Sequence, residues 1–360
     1  MKNIILKHSN NKQNDCTISI GSNLIGKIGS LYDLSTYSKI FIITDKNVEP
    51  LFLQKIVAAF PLETASIVLP AGEKEKHIEN VQKIWRAMYD ARCDRKSLVV
   101  NLGGGVIGDI GGFAASTFMR GIDFLNIPTT LLAQVDASIG GKTGIDFAGI
   151  KNLIGTFNQP VRVIIDTQTL STLPKREFLS GFAEIIKHGL IKDRTYFEKV
   201  TAKHPLKFTQ DEMIDIIAKS VEIKADIVQS DETESNIRKL LNFGHTIGHA
   251  IEALKLDTPT PLLHGEAIAI GMLAEAKISY HLNLLSLSDL QKIEQALLTA
   301  QLPLSTDVKK SEVLKKIKSD KKNERGKVNF TLLNRIGNAL YNQNVPEDVI
   351  IRSLENILDL

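Results

Sequence analysis

The chain holds only two cysteines in 360 residues, Cys16 and Cys93, and they share no short metal or redox spacing. A disulfide framework is therefore not expected. Charge of one sign is also missing: 44 basic against 41 acidic residues leave a net +3, too little to argue for nucleic acid. Aromatics make up 6%, and apart from a basic run near 315–327 the lysines are scattered, so basic patches with interleaved aromatics are absent. No apolar run reaches the ~18 residues of a membrane span. The start, "MKNIILKHSN", lacks the apolar core of a signal peptide. A reducing cytoplasm is the expected location. Internal repeats and low-complexity segments are missing as well. What remains, 43% hydrophobic and 24% charged residues, is the composition of a globular protein with a sizeable core, long enough for two domains.

The first half alternates between short apolar runs and helical spacing. "KIFIITD" (39–45), "SLVVNLGGG" (97–105), "DFLNIPTT" (123–130) and "VRVIID" (161–166) read as buried parallel strands ending in turn residues. "HIENVQKIWRAMYDARCD" (77–94) has helical spacing between the first two. This rhythm predicts a doubly wound nucleotide-binding domain over 1–175. "STLPKREF" (171–178), broken by Pro174, marks the boundary. Residues 176–360 carry long helical patterns such as "FLSGFAEIIKHGLI", "EMIDIIAKSVEIKADIV" and "GEAIAIGMLAEAKISYHLNLL", with one clear strand signal, "KVNFTLL" (327–333). The second domain should be mostly helical.

Glycine is concentrated where chemistry would use it. In "VVNLGGGVIGDIGGF" (99–113), Gly103, Gly105 and Gly108 fit G-x-G-x-x-G after a strand. Such a loop lets backbone approach a pyrophosphate and aims a helix N-terminus at it. A lone match is weak, since glycines at a strand–helix turn can serve packing alone. Six glycines in the ten residues 103–112 strengthen it, because helix interiors lose ~1 kcal/mol per glycine relative to alanine. A complete strand–helix unit precedes the motif, with Asp45 at a strand end and "PAGEKEK" (70–76) in a loop, so a dinucleotide would be bound in a variant manner.

"TTLLAQVDASIGGKTGIDFAGIKNLIGTF" (129–157) places Asp136, Lys142, Lys151 and Asn152 among apolar and small residues, a buried-looking context in which charge is paired or functional. Structural salt bridges are the plainer alternative. "GFAEIIKHGL" sets Glu184, Lys187 and His188 on neighbouring helical positions; Lys224, Arg238, Asn242, His264 and Glu266 follow in similar surroundings. Together they suit a phosphorylated, carboxylated substrate and a metal. In "LLNFGHTIGHAIE" (240–252), His245 and His249 share a helix face, but Thr246 stands where an H-E-x-x-H helix has its Glu, which disfavours metalloprotease chemistry. Two ligands, one ligand beside one acid–base, or two core histidines remain open on spacing alone.

The segments "GGGVIGDIGGFAASTFMRGI", "IPTTLLAQVDASIGGKTGID", "KNLIGTFNQP", "GFAEIIKHG", "NFGHTIGHAIE", "LHGEAIAIGM" and "DKK" (320–322) resemble the 3-dehydroquinate synthase family, within the sugar-phosphate cyclases, over nearly the whole chain. The resemblance implies an α/β N-terminal Rossmann-like domain, a mostly α-helical C-terminal domain, an active site in the cleft, bound NAD, a divalent metal (Zn2+ or Co2+) and a homodimer. It carries the metal ligands onto Glu184, His245 and His264, and leaves His249 to the chemistry of phosphate loss. NAD contacts fall on Asp45, on Ala71, Gly72, Glu73, Lys74, Glu75 and Lys76, on Gly105, Val106, Ile107, Gly108 and Asp109, and on Thr129, Thr130, Lys142, Lys151, Thr169, Leu170, Ser171 and Thr172. Ala71 departs from the commoner Asp of this family, which leaves that contact to the backbone. Substrate contacts fall on Asp136, Lys142, Asn152, Lys187, Lys224, Arg238, Asn242 and His249, with one or both of Lys321 and Lys322 near the phosphate and Arg120 reaching the partner subunit's phosphate pocket.

The implied reaction takes 3-deoxy-D-arabino-heptulosonate 7-phosphate to 3-dehydroquinate and phosphate, a step of the shikimate pathway to aromatic amino acids. It runs by transient oxidation with NAD, β-elimination of phosphate, re-reduction, ring opening and aldol closure, so the enzyme is a lyase. A metal-dependent alcohol or glycerol dehydrogenase could share the two-domain plan, but has no use for so many anion-binding groups. A cofactor-binding homologue without activity is disfavoured because the expected residue types fill the site.

Overall fold

The computed structural model describes residues 1–7, 15–321 and 328–359; Lys322 lies outside them, as does the side chain of Lys321. The chain forms two compact units: Met1–Leu173 with Met213–Gln229, and Pro174–Glu212 with Ser230–Leu360.

The first unit is built on strands β1 (Lys2–Leu6), β2 (Cys16–Gly21), β3 (Lys39–Asp45), β4 (Thr64–Leu69), β5 (Ser97–Gly103) and β6 (Phe124–Pro128), a hairpin of β7 (Lys142–Phe147) and β8 (Ile150–Phe157), and β9 (Arg162–Asp166). Seven of these make one sheet in the order β1-β2-β9-β6-β5-β3-β4. Every pairing is parallel except β1 with β2. Strand alternation explains why the runs are apolar throughout. Phe41, Ile43 and Val99 pack on one face with Ile84, Met88 and Ile110 of the helices Ile78–Asp90 and Gly105–Thr117. Ile40, Ile42, Leu98 and Val100 pack on the other with Ile25, Ile28, Leu53 and Ile56. Both faces are covered, as in a doubly wound fold.

The order puts β4 on one side of β3 and β5 on the other. The chain reverses its direction of travel there, and the carboxyl ends of β3 and β5 form the topological switch point where such sheets bind ligands. Asp45 ends one strand and Gly103 the other. The glycine-rich motif thus lies at a switch point although it is not on the first strand.

The structure departs from the sequence reading in two places. The stretch 142–157 forms a hairpin, and Lys142 and Asn152 are exposed, not buried. Their apolar neighbours Phe147, Ile150, Leu153, Ile154 and Phe157 are themselves exposed, so the apolar context belongs to a surface and not to a core. The helix Gln210–Ser230 lies in the second half of the chain, yet its residues 213–229 pack with the first unit. Lys224 anchors it there: its ammonium sits 2.6 Å from Asp136 Oδ1 and 2.7 Å from the Asp136 carbonyl oxygen.

The second unit is mostly helical. Its main helices are Lys175–Lys192, Arg194–Thr201, His245–Lys255, His264–His281, Leu287–Thr299 and Lys310–Lys321. The expected strand near 327–333 is Asn329–Arg335, paired antiparallel with Asn338–Asn344. No helix among the described residues is long and apolar enough to cross a membrane. Cys16 and Cys93 are buried free thiols.

Candidate active site

In the first unit the helix Gly105–Thr117 starts directly after β5, and its N-cap, Gly104, has no side chain to cap it. The first N–H groups of a helix lack intrahelical acceptors and together attract an anion. The glycines divide by role. A Cβ at Gly111 would stand 2.0 Å from Asn101 Oδ1, and one at Gly112 2.5 Å from Thr143 Cγ2, so these two let the helix lie close on β5 and β7. A Cβ at Gly108 would meet nothing within 4 Å, so packing does not explain this glycine. Two buried hydroxyls at the same ends of the sheet, Thr44 Oγ1 and Thr129 Oγ1, have no hydrogen-bond partner. Buried polar atoms are seldom left so without a ligand or water. An anion-attracting helix start, an open Gly108 and two orphaned hydroxyls at a switch point fit a dinucleotide.

The loop 70–76 is tied to this site by charge. Lys76 is buried; its Nζ lies 3.0 Å from Asp109 Oδ2, 3.3 Å from Glu73 Oε1 and 3.9 Å from Asp146 Oδ1. Lys151 Nζ lies 3.7 Å from Glu73 Oε1. Burial raises the Asp109 carboxyl to about 6 against the pull of Lys76. Ala71 is exposed, Gly72 takes φ +115°, Lys74 is exposed, and Glu75 accepts from Asn80 Nδ2. Asp45 Oδ1 accepts from the amides of Asn47 and Val48 and closes the turn after β3; burial raises its carboxyl. Thr130 Oγ1 accepts from Ala133 N. In the turn Thr167–Thr172, which also holds Leu170, the Thr169 hydroxyl donates to the N-cap carbonyl of Asp166, and those of Ser171 and Thr172 donate to Gln168 O and Thr169 O.

In the second unit three helices converge. Glu184 comes from Lys175–Lys192, His245 and His249 from His245–Lys255, and His264 from His264–His281. Glycine permits the approach of the helix His264–His281 to the other two: a Cβ at Gly265 would stand 1.8 Å from Ser180 O, and one at Gly271 2.0 Å from Gly244 O. Glu184 Oε1 lies 3.8 Å from His245 Nε2 and 3.6 Å from His264 Nε2. These spacings are too long for hydrogen bonds. They are close to the ~3.4 Å edge of a tetrahedron whose ligands stand about 2.1 Å from a zinc ion. Both rings are held by their other nitrogen: His245 Nδ1 contacts Phe243 O at 3.1 Å and His264 Nδ1 contacts Glu252 Oε2 at 3.2 Å. That fixes the tautomer which leaves Nε2 for a metal. Glu184 is fully buried; its Oε2 is paired with the Lys187 ammonium, and its Oε1 has no hydrogen-bond partner.

A second group, His249, Glu252 and His264, also has metal-binding spacing. The hydrogen bond between His264 and Glu252 occupies the atoms it would use, so Glu184, His245 and His264 form the better donor set. Their electrostatics differ from one residue to the next. Burial would raise the Glu184 carboxyl, but the paired Lys187 ammonium and the two imidazoles hold it well below the usual range. Burial, and then Lys187, hold His245 well below its ordinary value, which favours the neutral imidazole. Burial also disfavours charge on His264, but Glu184 and Glu252 override it and raise the ring to about 10, so a cation binding at its Nε2 would displace a proton. One carboxylate and two imidazoles fit a divalent cation with positions left for a substrate.

The remaining residues are placed as follows. His249 is exposed at the helix edge, its ring 4.9 Å from that of His245. Arg238 is buried, with Nη1 donating to Glu232 O, and Asn242 Nδ2 donates to Glu234 Oε1 at 2.7 Å. Glu266 forms a bidentate pair with Arg176 and accepts from Leu263 N, so it starts its helix and takes no part in the metal set. Arg120 is exposed in a left-handed turn, with φ +49°, +71° and +108° at Met119, Arg120 and Gly121. Sequence reasoning missed Glu234 and Glu252. Glu252 was within reach, since it lies seven residues after His245 on the same helix face.

Comparison with known proteins agrees with this reading. Residues 66–180 match the family model described as 3-dehydroquinate synthase N-terminal, and residues 181–323 the one described as 3-dehydroquinate synthase C-terminal. A 3-dehydroquinate synthase of Thermoanaerobacter pseudethanolicus is 45% identical over 88% of this chain and 90% of its own. One of Prochlorococcus marinus is 41% identical over 97% of both. Among solved structures, the 2-epi-5-epi-valiolone synthase of Streptomyces hygroscopicus subsp. jinggangensis, with NAD+ and Zn2+ bound, superposes with a TM-score of 0.87 at 27% identity, covering 98% of this chain and 99% of that one. With the two family models matched in succession over residues 66–323, and with relatives 41–45% identical over most of their length, the chain belongs to the 3-dehydroquinate synthase family.

Proposed function

We propose that this chain converts 3-deoxy-D-arabino-heptulosonate 7-phosphate to 3-dehydroquinate and phosphate, as a cytoplasmic homodimer in aromatic amino-acid biosynthesis. The observation that carries the reading is the buried Glu184 carboxylate facing two histidine Nε2 atoms, in a chain 45% identical to a relative of that name. When bound, the divalent cation (Zn2+ or Co2+) acts as a Lewis acid toward substrate hydroxyls, and NAD is a reversible hydride acceptor that ends the cycle unchanged.

The chain's own residues do the rest. The start of the helix at Gly105–Asp109, with Thr129, Thr130 and the loop 71–76, holds the dinucleotide phosphates and ribose. Asp45, Lys151 and residues 169–172 complete that grip. Arg238 and Asn242 receive the substrate carboxylate, where a guanidinium offers two parallel donors. Lys142, Lys187 and Asn152 bind phosphate and hydroxyl oxygens, and Lys321 and Lys322 add charge near the phosphate. Asp136 and Lys224, already paired to each other, orient the substrate's polar edge. His249, exposed one turn from His245, moves the proton during phosphate loss. Arg120 serves the partner's site. Its turn is exposed, it forms no ion pair among the described residues, and the exposed apolar residues of the β7–β8 hairpin suit burial against a second copy.

The test is redox balance. Purified protein given the heptulosonate phosphate should release phosphate and form dehydroquinate with no accumulation of NADH. NADH appearing in step with turnover would instead identify a dehydrogenase.

A further inference from the structure

The helix that carries His245 and His249 has no cap of its own. Its N-cap is Gly244, at φ +81°, and no larger residue fits there: a Cβ would stand 2.5 Å from Met272 Cγ and 3.0 Å from Met272 N. The acceptor comes from another helix. Glu275, fully buried on His264–His281, accepts from Gly244 N at 2.7 Å through Oε2 and from Ile247 N at 3.3 Å through Oε1; the Thr246 amide also bonds this carboxylate. It thereby supplies what an N-cap side chain supplies elsewhere.

The contact bears on the metal site through one peptide group. The amide between Phe243 and Gly244 has its oxygen against His245 Nδ1 at 3.1 Å and its N–H on Glu275 at 2.7 Å. Glu275 and the His245 ring therefore hold opposite ends of the same rigid plane. A rotation of that plane turns the acceptor that fixes the ring, and with it the direction of Nε2.

We propose that Glu275 is a positioning residue of the metal centre: by binding the first amides of the helix His245–Lys255, it orients the peptide that aims His245. The inference rests on the reading of His245 as a ligand. Lost outer-shell partners of metal-bound histidines typically weaken metal binding by about 10–100-fold, and a loss of that size is expected here.

The test titrates Co2+ into metal-free full-length protein carrying Glu275→Ala, Glu275→Gln or His245→Ala. Affinity is read by competition with a chelator, and geometry by the visible absorption of the bound ion. Glu275→Ala should bind Co2+ about 10–100-fold more weakly, with an altered spectrum. Glu275→Gln should fall between it and the parent, because its amide oxygen still accepts from Gly244. A folded Glu275→Ala protein with the parent's affinity and spectrum overturns the inference. If that variant does not fold, Glu275→Gln decides: an unchanged affinity and spectrum overturns it, and a weaker, altered site supports it. His245→Ala separates the two readings. If it binds Co2+ as the parent does, the ligand assignment falls and the inference with it. If it loses Co2+ while both Glu275 variants match the parent, only the inference falls.

Discussion

The rings of His245 and His249 stand 4.9 Å apart, edge to face at 81°, on successive turns of one helix. The pair looks symmetric in sequence, but the surroundings divide it. His245 turns its Nε2 toward the buried Glu184, and His249 sits at the exposed edge.

Removing the first ring should therefore remove the metal. After dialysis, His245→Ala is expected to retain little zinc, measured by elemental analysis, and no activity. His249→Ala should keep its zinc and lose turnover by about 10²–10⁴-fold, the usual worth of a proton-transfer group. Retention of metal by the first variant and loss by the second would reverse the assignment.

Much of the first unit was legible because parallel strands buried on both faces write themselves as apolar runs. The strands at 39–45, 97–103, 124–128 and 162–166 lie within a residue or two of where the pattern puts them. The β7–β8 hairpin was not legible. Its two-residue turn has positive φ at Ala148 (51°) and Gly149 (76°), a conformation that Asn-Gly usually announces and Ala-Gly does not. The placement of residues 213–229 was hidden for a different reason. It depends on Lys224 meeting Asp136, a long-range pairing with no local signature. Spacing also could not choose between His245 and His249. The choice depends on Glu184 and His264, which reach the site from other helices.

The glycines of the second unit set how closely the proposed metal ligands approach. Gly271→Ala would thrust a methyl to 2.0 Å from Gly244 O and 2.7 Å from Gly248 N. Both are backbone atoms, so no side chain can turn aside, and the helices bearing His245 and His264 must separate. Overpacking of this kind costs about 1–3 kcal/mol. Denaturant unfolding of the metal-free protein should show that loss, and zinc binding should weaken with it. A variant with the parent's stability and zinc affinity would show that the helix crossing does not set the ligand spacing.

Arg120 offers the clearest test of assembly. Three consecutive positive φ values at Met119, Arg120 and Gly121 turn the chain sharply after the helix Gly105–Thr117 and leave the guanidinium exposed. Left-handed backbone at a non-glycine residue is unfavourable and persists where the surrounding structure demands it. A role in a partner's phosphate pocket would account for it. Left-handed residues are equally ordinary just past a helix C-terminus, so the mixing of two variants, and not the backbone, separates a partner role from a contact with Arg120's own helix end. Arg120→Ala and Lys142→Ala chains, each inactive alone, should be mixed under conditions that exchange subunits, with dimer formation followed by mass. In a mixed dimer one site carries both defects and the other carries neither, so roughly half the activity per dimer should return. Mixed dimers that form and stay inactive would confine Arg120 to its own chain.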